Sequence, residues 1–256
     1  MSHDCAASND AAAQSPVTSS LDGAVATLTL NRPDKLNALT PAMFVEFRTH
    51  LARLAELDTL GCLIIQGAGR SFCAGHDLAA IKMRDGDADE RDAAETIDLL
   101  EQFPQPTIAK ITGHCLTGGL ELALGCDLLI CTHESKFADT HGKWGLVPVW
   151  GMSVRLPERI GLAAAKELSL TGRTIDGDEA MRIGLVNRSV AATELDAHIA
   201  EMAAAICANS RQSNRIYKKL YREIADDDRQ QHLEHERSRP YGMPTDMAER
   251  MRISAS

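Results

Sequence analysis

Strand-sized apolar runs separated by helix-length segments recur along the first half of the chain, and they constrain the fold more than any other feature. Ala24 to Leu30, Leu60 to Gln66, Thr107 to Thr112 and Asp127 to Cys131 each have the length and apolar content of a buried strand. Between them, Thr40-Pro41 opens a helix that runs to about Leu57, with the threonine at the N-cap and the proline at the first helical position. A second helix stops near Phe103, ahead of Pro104 and Pro106, and Gly118 to Leu124 forms a short third one. This alternation predicts an α/β architecture. Periodicity by itself does not separate a Rossmann-like sheet from other α/β arrangements.

Two of the strand runs lead into glycine-bearing segments, Ser71-Phe72-Cys73-Ala74-Gly75-His76-Asp77-Leu78 and Gly113-His114-Cys115-Leu116-Thr117-Gly118-Gly119-Leu120-Glu121. Backbone N–H groups lack partners where a strand ends and a helix begins, and glycine lets a ligand approach them closely. Each segment therefore offers one donor to an anionic oxygen, and two such donors make an oxyanion hole. Taken singly, a Gly-Gly pair is better explained as a tight strand-to-helix turn. With both segments in one chain, the turn reading and the site reading both stand.

The chain has 256 residues, 44% of them hydrophobic, which suits one large domain or a domain with a small appendage. A formal charge of −9 disfavours nucleic acid as a partner, because phosphate binding needs a basic surface. No apolar stretch is long enough for a membrane span, and no secretion signal opens the chain. Seven cysteines without zinc-like paired spacing read as buried thiols in a reducing compartment, which places the protein in the cytoplasm. The histidines show no metal-like convergence, so no metal site is expected. Residues 1–20, rich in Ala, Ser, Asn and Asp, read as a mobile tail, and the charged stretch Ala79 to Arg91 as a solvated loop or frayed helix. From Val154 onward the pattern is mainly helical, apart from a strand at Leu185 to Val190.

The two glycine segments, together with Asn31-Arg32-Pro33-Asp34-Lys35-Leu36-Asn37-Ala38-Leu39, the Gly-Gly-Leu-Glu-Leu-Ala run and Phe137 through Leu156, resemble the enoyl-CoA hydratase/isomerase or crotonase superfamily. The resemblance lies in the order and spacing of the motifs and runs from about Val25 to Tyr221. It implies a crotonase/ClpP-like superhelix of β-β-α repeats, residues 21–192, followed by a C-terminal helical region, 193–256, that covers the acyl site and mediates trimer contacts. It also implies a homotrimer or dimer of trimers acting on an acyl-CoA thioester, with no cofactor beyond the coenzyme A of the substrate.

Matched residue by residue, the resemblance makes the backbone N–H groups of His76 and Gly118 the oxyanion donors. Glu121 lies about one helical turn past Gly118, so its carboxylate reaches back over the helix N-terminus, where it suits activation of a water. A carboxylate there would also serve simply as a favourable charge at the positive end of the helix. Hydratase relatives with two glutamates carry the second in a Phe-Gly-x-Pro-Glu segment. In Phe137-Ala138-Asp139-Thr140-His141 the matching position is His141, and Asp139 is not its equivalent. Histidine gives and takes protons near neutral pH, having an unperturbed pKa of roughly 6.5. His141 is therefore either a second acid/base or a spent catalytic position that hydrogen-bonds a substrate group.

By the same match Lys35 resembles the positions that contact the coenzyme A nucleotide, Ala74 and Leu78 flank the thioester, and Asp77 is a further substrate or coenzyme A contact; Lys82 and Arg84, just past the oxyanion segment, either add positive charge for the phosphates or are merely solvated. Trp144 and Trp150 either wall the acyl pocket or pack in the core. Retaining the first acid and lacking the second favours hydration or dehydration over double-bond isomerisation. The expected activity is that of an enoyl-CoA hydratase. The alternatives are another crotonase-family reaction on a specialised acyl-CoA, or a weakly catalytic acyl-CoA-binding protein. At the C-terminus, Pro244 to Met251 reads as the start of a helix like the one that ends many members, without their basic and aromatic tail.

Overall fold

The computed structural model describes residues 15–82, 88–224, 228–240, 242, 248 and 252, with the backbone alone at 81, 82, 88, 223 and 224. Five strands, β1 (Val17–Asp22), β2 (Val25–Leu30), β3 (Cys62–Gly67), β4 (Thr107–Ile111) and β6 (Leu128–Thr132), stand side by side in that order. A sixth, β8 (Arg188–Val190), closes the far edge. β1 runs antiparallel to β2, and every other pair in this sheet is parallel.

A second, shorter layer carries β5 (His114–Leu116) paired in parallel with β7 (Lys136–Ala138). Single parallel bridges extend this layer, Leu39 to His76 and Cys73 to Cys115. Each turn of the chain thus contributes a strand to the main sheet, a short extended piece to the second layer, and then a helix. After Leu39 comes α1 (Pro41–Ala55); after His76 come α2 (Leu78–Lys82) and α3 (Ala88–Glu101); after β5 comes α4 (Gly118–Leu124); after β7 comes α5 (His141–Trp144). These are the β-β-α repeats expected of the superhelix.

Local sequence explains the elements. Thr40 accepts the Met43 N–H and Pro41 starts α1, a cap contributing about 1 kcal/mol. Met43, Phe44, Phe47, Leu51 and Leu54 recur at helical spacing on its buried face. Strand β3 alternates: Leu63 and Ile65 join those residues in the larger core, while Cys62 and Ile64 face a second cluster with Leu195 and Ile199. The latter belong to α9 (Leu195–Ala208), reached through α6 (Met152–Ile160), α7 (Leu162–Thr171) and α8 (Gly177–Arg182). Among the described residues α10 (Arg211–Ile224) and α11 (Arg229–Arg237) follow.

Three expectations need correction. The tail read as ending at residue 20 overlaps β1, whose Val17 is buried and whose N–H bonds the Glu46 carboxylate. Serine and threonine hid a strand whose stability comes from pairing with β2. Glu90, read as part of a solvated stretch, is buried and ion-paired to Arg239. The last strand is three residues long, since Leu185 and Val186 are buried ahead of it as core residues. Met1 to Gln14, Arg84 and most of Pro244 to Met251 lie outside the described residues, as does the Lys82 side chain.

Candidate active site

Backbone ladders place the two glycine segments against each other. Leu39 donates to Gly75 O and accepts from Asp77 N–H, both at 2.8 Å, and Ala74 N–H bonds Leu36 O at 3.0 Å. Amides alternate direction along an extended chain, so the His76 N–H points away from Leu39. On its other side, Cys73 pairs with His114 and Leu116. The turn supplying Leu36 is braced by buried Asn37, whose side chain bonds Arg32 N–H and the carbonyls of Ala68 and Ser71.

Two measurements locate the amides. A Cβ built on Gly75 would lie 3.5 Å from Gly118 N, and one built on Gly118 would lie 3.3 Å from His76 N. Both donors therefore border one small volume. Gly75 needs its φ of +105°, and a methyl group on Gly118 would meet Trp150 Cζ3 at 2.4 Å. Gly118 is the first residue of α4, so its N–H has no intrahelical acceptor. Before it, Thr117 sits at φ 49°, ψ −113°, a strained conformation for a β-branched residue. Its hydroxyl bonds the Thr140 hydroxyl at 2.5 Å and accepts the Thr140 N–H at 3.1 Å, which holds that strain in place.

Glu121 is 1% exposed. Its Oε1 accepts the N–H groups of Trp150 (3.1 Å) and Met152 (3.2 Å), and its Oε2 stands 3.7 Å from His141 Nε2. The other ring nitrogen of His141, Nδ1, is 2.7 Å from Asp139 Oδ1. Asp139, His141 and Glu121 therefore form a line of three groups. Sequence comparison alone had set Asp139 aside; in space it orients the imidazole. The i, i+2 spacing across a strand end was the available signal.

Burial pushes the Glu121 carboxyl up to about 8, against the opposing charge of His141. Burial also disfavours the His141 imidazolium, but the Asp139 hydrogen bond and the Glu121 and Asp139 charges outweigh it, so His141 titrates above the usual histidine range. For Asp139, burial is outweighed by His141, which holds it below the usual range. The trio thus favours a proton on His141 and makes ionised Glu121 a stronger base than an ordinary carboxylate.

A cavity of about 40 Å³ joins these groups. His76, Thr117, Gly118, Glu121 and His141 line it, with Leu146, Val147, Val149 and Trp150 as apolar wall and the Glu90–Arg239 ion pair as polar wall. Trp150 rather than Trp144 reaches the cavity; its ring lies 4.9 Å from that of His76 and edge-on to Phe44 at 5.1 Å. Neither Ala74, Asp77 nor Leu78 lines the cavity. Asp77 is engaged with Arg32 at 3.0 Å and with Ala79 N–H at 3.0 Å. Lys35 is exposed in a short 3₁₀ turn, Pro33–Lys35, after β2. Cys73 beside the donors is buried, with its thiol pushed up to about 12, so it is a packing residue at neutral pH. Among the described residues no group of three His, Cys, Asp or Glu side chains is arranged to hold a metal.

Residues 20–251 match the model of the enoyl-CoA hydratase/isomerase family. The chain belongs to that family. Among curated members of the enoyl-CoA hydratase/isomerase family, it is 38% identical over 188 residues to a probable peroxisomal enoyl-CoA hydratase 1 of Arabidopsis thaliana, covering 73% of this chain and 71% of the other. It is 38% identical over 205 residues to the carnitinyl-CoA dehydratase of Proteus mirabilis, covering 78% and 77%. A solved enoyl-CoA hydratase/carnithine racemase from Magnetospirillum magneticum superposes with a TM-score of 0.80 at 33% identity, over 82% of this chain and 81% of that one. The crotonase-type superhelix is therefore established by sequence and by structure together.

Proposed function

We propose that this family member hydrates an enoyl-CoA thioester, or runs the reverse dehydration, at the cavity shared by His76, Gly118, Glu121 and His141. The observation that carries the reading is Glu121 itself: one carboxylate oxygen is held by two backbone N–H groups while the other faces His141, next to the two donor amides. The enzymatic character of the family and the hydratase relatives support it.

In this reading the His76 and Gly118 amides hold the thioester oxygen, where removal of one such donor lowers the rate by roughly two to three powers of ten. Ionised Glu121 takes a proton from water as the water oxygen bonds the β-carbon, and the π electrons move into the enolate. The His141 imidazolium then protonates the α-carbon. This leaves Glu121 neutral and His141 neutral, and proton transfer across their contact restores the starting pair. Asp139 is the group that steadies the imidazolium throughout. The cavity has room for about three water-sized volumes at roughly 10–15 Å³ each, which suits a short reacting segment.

Lys35, Ala74, Asp77, Leu78 and Lys82 belong to this reading as contacts of the coenzyme A portion and thioester. A homotrimer or dimer of trimers fits the exposed apolar side chains of α10, including Ile216, Tyr217, Leu220 and Tyr221. A cytoplasmic location fits the six described cysteines, all of them free thiols. Among the described residues no helix is long and apolar enough to cross a membrane.

The Glu90–Arg239 pair on the cavity wall favours one second reading, a specialised acyl-CoA with an oxygen-bearing acyl group. Turnover of crotonyl-CoA, followed at the enoyl-thioester absorbance for wild type, Glu121→Gln and His141→Ala, tests the first reading. Loss of about two or more powers of ten in both variants supports a Glu/His hydratase. An inert wild type that still binds the thioester removes that reading, and hydroxylated enoyl-CoAs then test the second.

A further inference from the structure

The N-terminus of α6 holds two carboxylates. Glu121 takes the N–H groups of Trp150 and Met152; Glu236, on α11, takes the alternate pair, Gly151 N–H at 2.6 Å and Ser153 N–H at 2.7 Å. The Ser153 hydroxyl adds a third bond to Glu236. Four successive amides are thus divided between two acids that are 115 residues apart in sequence, 236 less 121. Each of these peptide planes is held by one carboxylate and joined through a Cα to planes held by the other, so the two acids brace one stretch of backbone.

α11 is itself anchored to the elements around this loop. Arg237 pairs with Asp98 at 2.6 Å, and Arg229 with Glu101 at 2.5 Å and Glu158 at 2.8 Å. Buried Arg155 binds the same Asp98 and Glu101 and donates to Trp150 O at 2.7 Å. Leu233 of α11 is buried over Gly151, where an added Cβ would lie 3.2 Å from its Cδ2. The loop that orients Glu121 is therefore fixed from outside by α11.

We propose that Glu236 is a positioning residue for the Glu121–His141 pair, setting the orientation of Glu121 through the backbone of residues 150–153, whose four amides the two acids divide. The kinetic part of this inference rests on the hydration reading. Its charge acts alongside its geometry. Glu236 raises the affinity of both Glu121 and His141 for protons, in addition to burial and their mutual interaction. Among the described residues the other titratable or charged groups around the pair are His76 and the Glu90–Arg239 pair on the cavity wall, Asp139 beside His141 and Arg155 behind Trp150. His232, His235 and Glu158 border Glu236 in the neighbouring cavity of about 710 Å³.

The test compares full-length wild type, Glu236→Gln, Glu236→Asp and Glu234→Gln, the last altering an exposed acid on the same helix. Crotonyl-CoA kcat and KM are measured across pH. In parallel, the His141 imidazole is titrated by NMR, assigned through His141→Ala. Glu236→Gln is expected to lower kcat about tenfold with little change in KM, as small misplacements of a catalytic group do, and to move the His141 titration to lower pH. Glu236→Asp, shorter by one methylene but still charged, is expected to lower kcat with a titration near that of wild type. Glu234→Gln should match wild type in both readouts. Wild-type kcat and titration in the Glu236 variants, whatever their melting temperatures, would overturn the proposal. Should Glu236→Gln not fold, Glu236→Asp decides alone: lowered kcat supports the proposal and unchanged kcat overturns it. If wild type does not turn over crotonyl-CoA, the hydration reading fails, and the NMR shifts of the Trp150 and Met152 amides that hold Glu121 decide: displaced amides in Glu236→Gln support positioning, and unmoved amides reject it.

Discussion

The two sides of the cavity are built by different physics. On one side, His76 and Gly118 are placed by main-chain ladders between Leu36–Leu39, Gly75–Asp77 and Cys73–Leu116, with short-range turns and glycines making the close approach possible. On the other, Glu121, His141 and Asp139 are placed by charge, burial and a loop held from α11. The first side presents neutral dipoles whose strength does not vary with pH. The second holds protons whose positions depend on every nearby charge. The lesson is that one half of the site is insensitive to solution conditions while the other is tuned by them.

Substitutions on the two sides should break this contrast in different ways. Glu121→Gln is expected to have the largest effect, a loss of about two to four powers of ten in kcat for crotonyl-CoA with thioester binding retained, read by single-turnover kinetics and calorimetric titration. Equal loss of binding would mean that Glu121 is structural. Gly118→Ala comes next, at about two powers of ten, because the methyl group displaces Trp150 and the donor amide. The part due to the donor amide should be the same at every pH, and a shifted profile would show that the displaced Trp150 also moves the Glu121 carboxylate it holds.

Asp139→Asn is expected to lower turnover about tenfold and to move the His141 titration to lower pH, since a neutral partner no longer favours the imidazolium. An unmoved titration would show that Asp139 does not support His141. The smallest effect concerns stability. Glu121 has its folded pKa raised to about 8, so the protonated carboxyl is the form the fold prefers. Its contribution is complete below its unfolded pKa of about 4.3 and is lost as pH rises through about 8. Raised His141 contributes with the same sign, lost above the usual histidine range, whereas Asp77, Glu101 and Asp139, all lowered, act in the acidic range below this window. Urea unfolding at pH 6 and pH 9 should show a smaller loss for Glu121→Gln than for wild type; an equal or larger loss would remove Glu121 from the account.

Sequence made the main-chain side legible because its determinants are local. Thr40-Pro41, the short helix from Gly118 to Leu124 and the glycine segments act over a few residues, and each appears where its chemistry puts it. The acid/base side was legible only in part. Glu121 and His141 stood out by position in their motifs, but Asp139 gains its meaning from the direction in which β7 delivers it to the ring. Glu236, Glu90 and Arg239 carried no local signal at all. They reach the cavity and its loop through helix packing across more than eighty residues of chain for Glu236 and Ser153, 236 less 153. The strand Val17–Asp22 was hidden for a related reason, since its polar residues pair with β2 instead of burying side chains.

The bond between the Thr117 and Thr140 hydroxyls has a consequence for the geometry of reaction. Thr117 immediately precedes the Gly118 donor, and Thr140 immediately precedes His141. In the proposed reaction, one short contact therefore spans the distance between the group that would receive a carbonyl oxygen and the group that would serve the carbon next to that carbonyl. Those two substrate atoms are separated by two covalent bonds, a length that never changes, and the hydroxyl pair acts as the matching gauge on the protein.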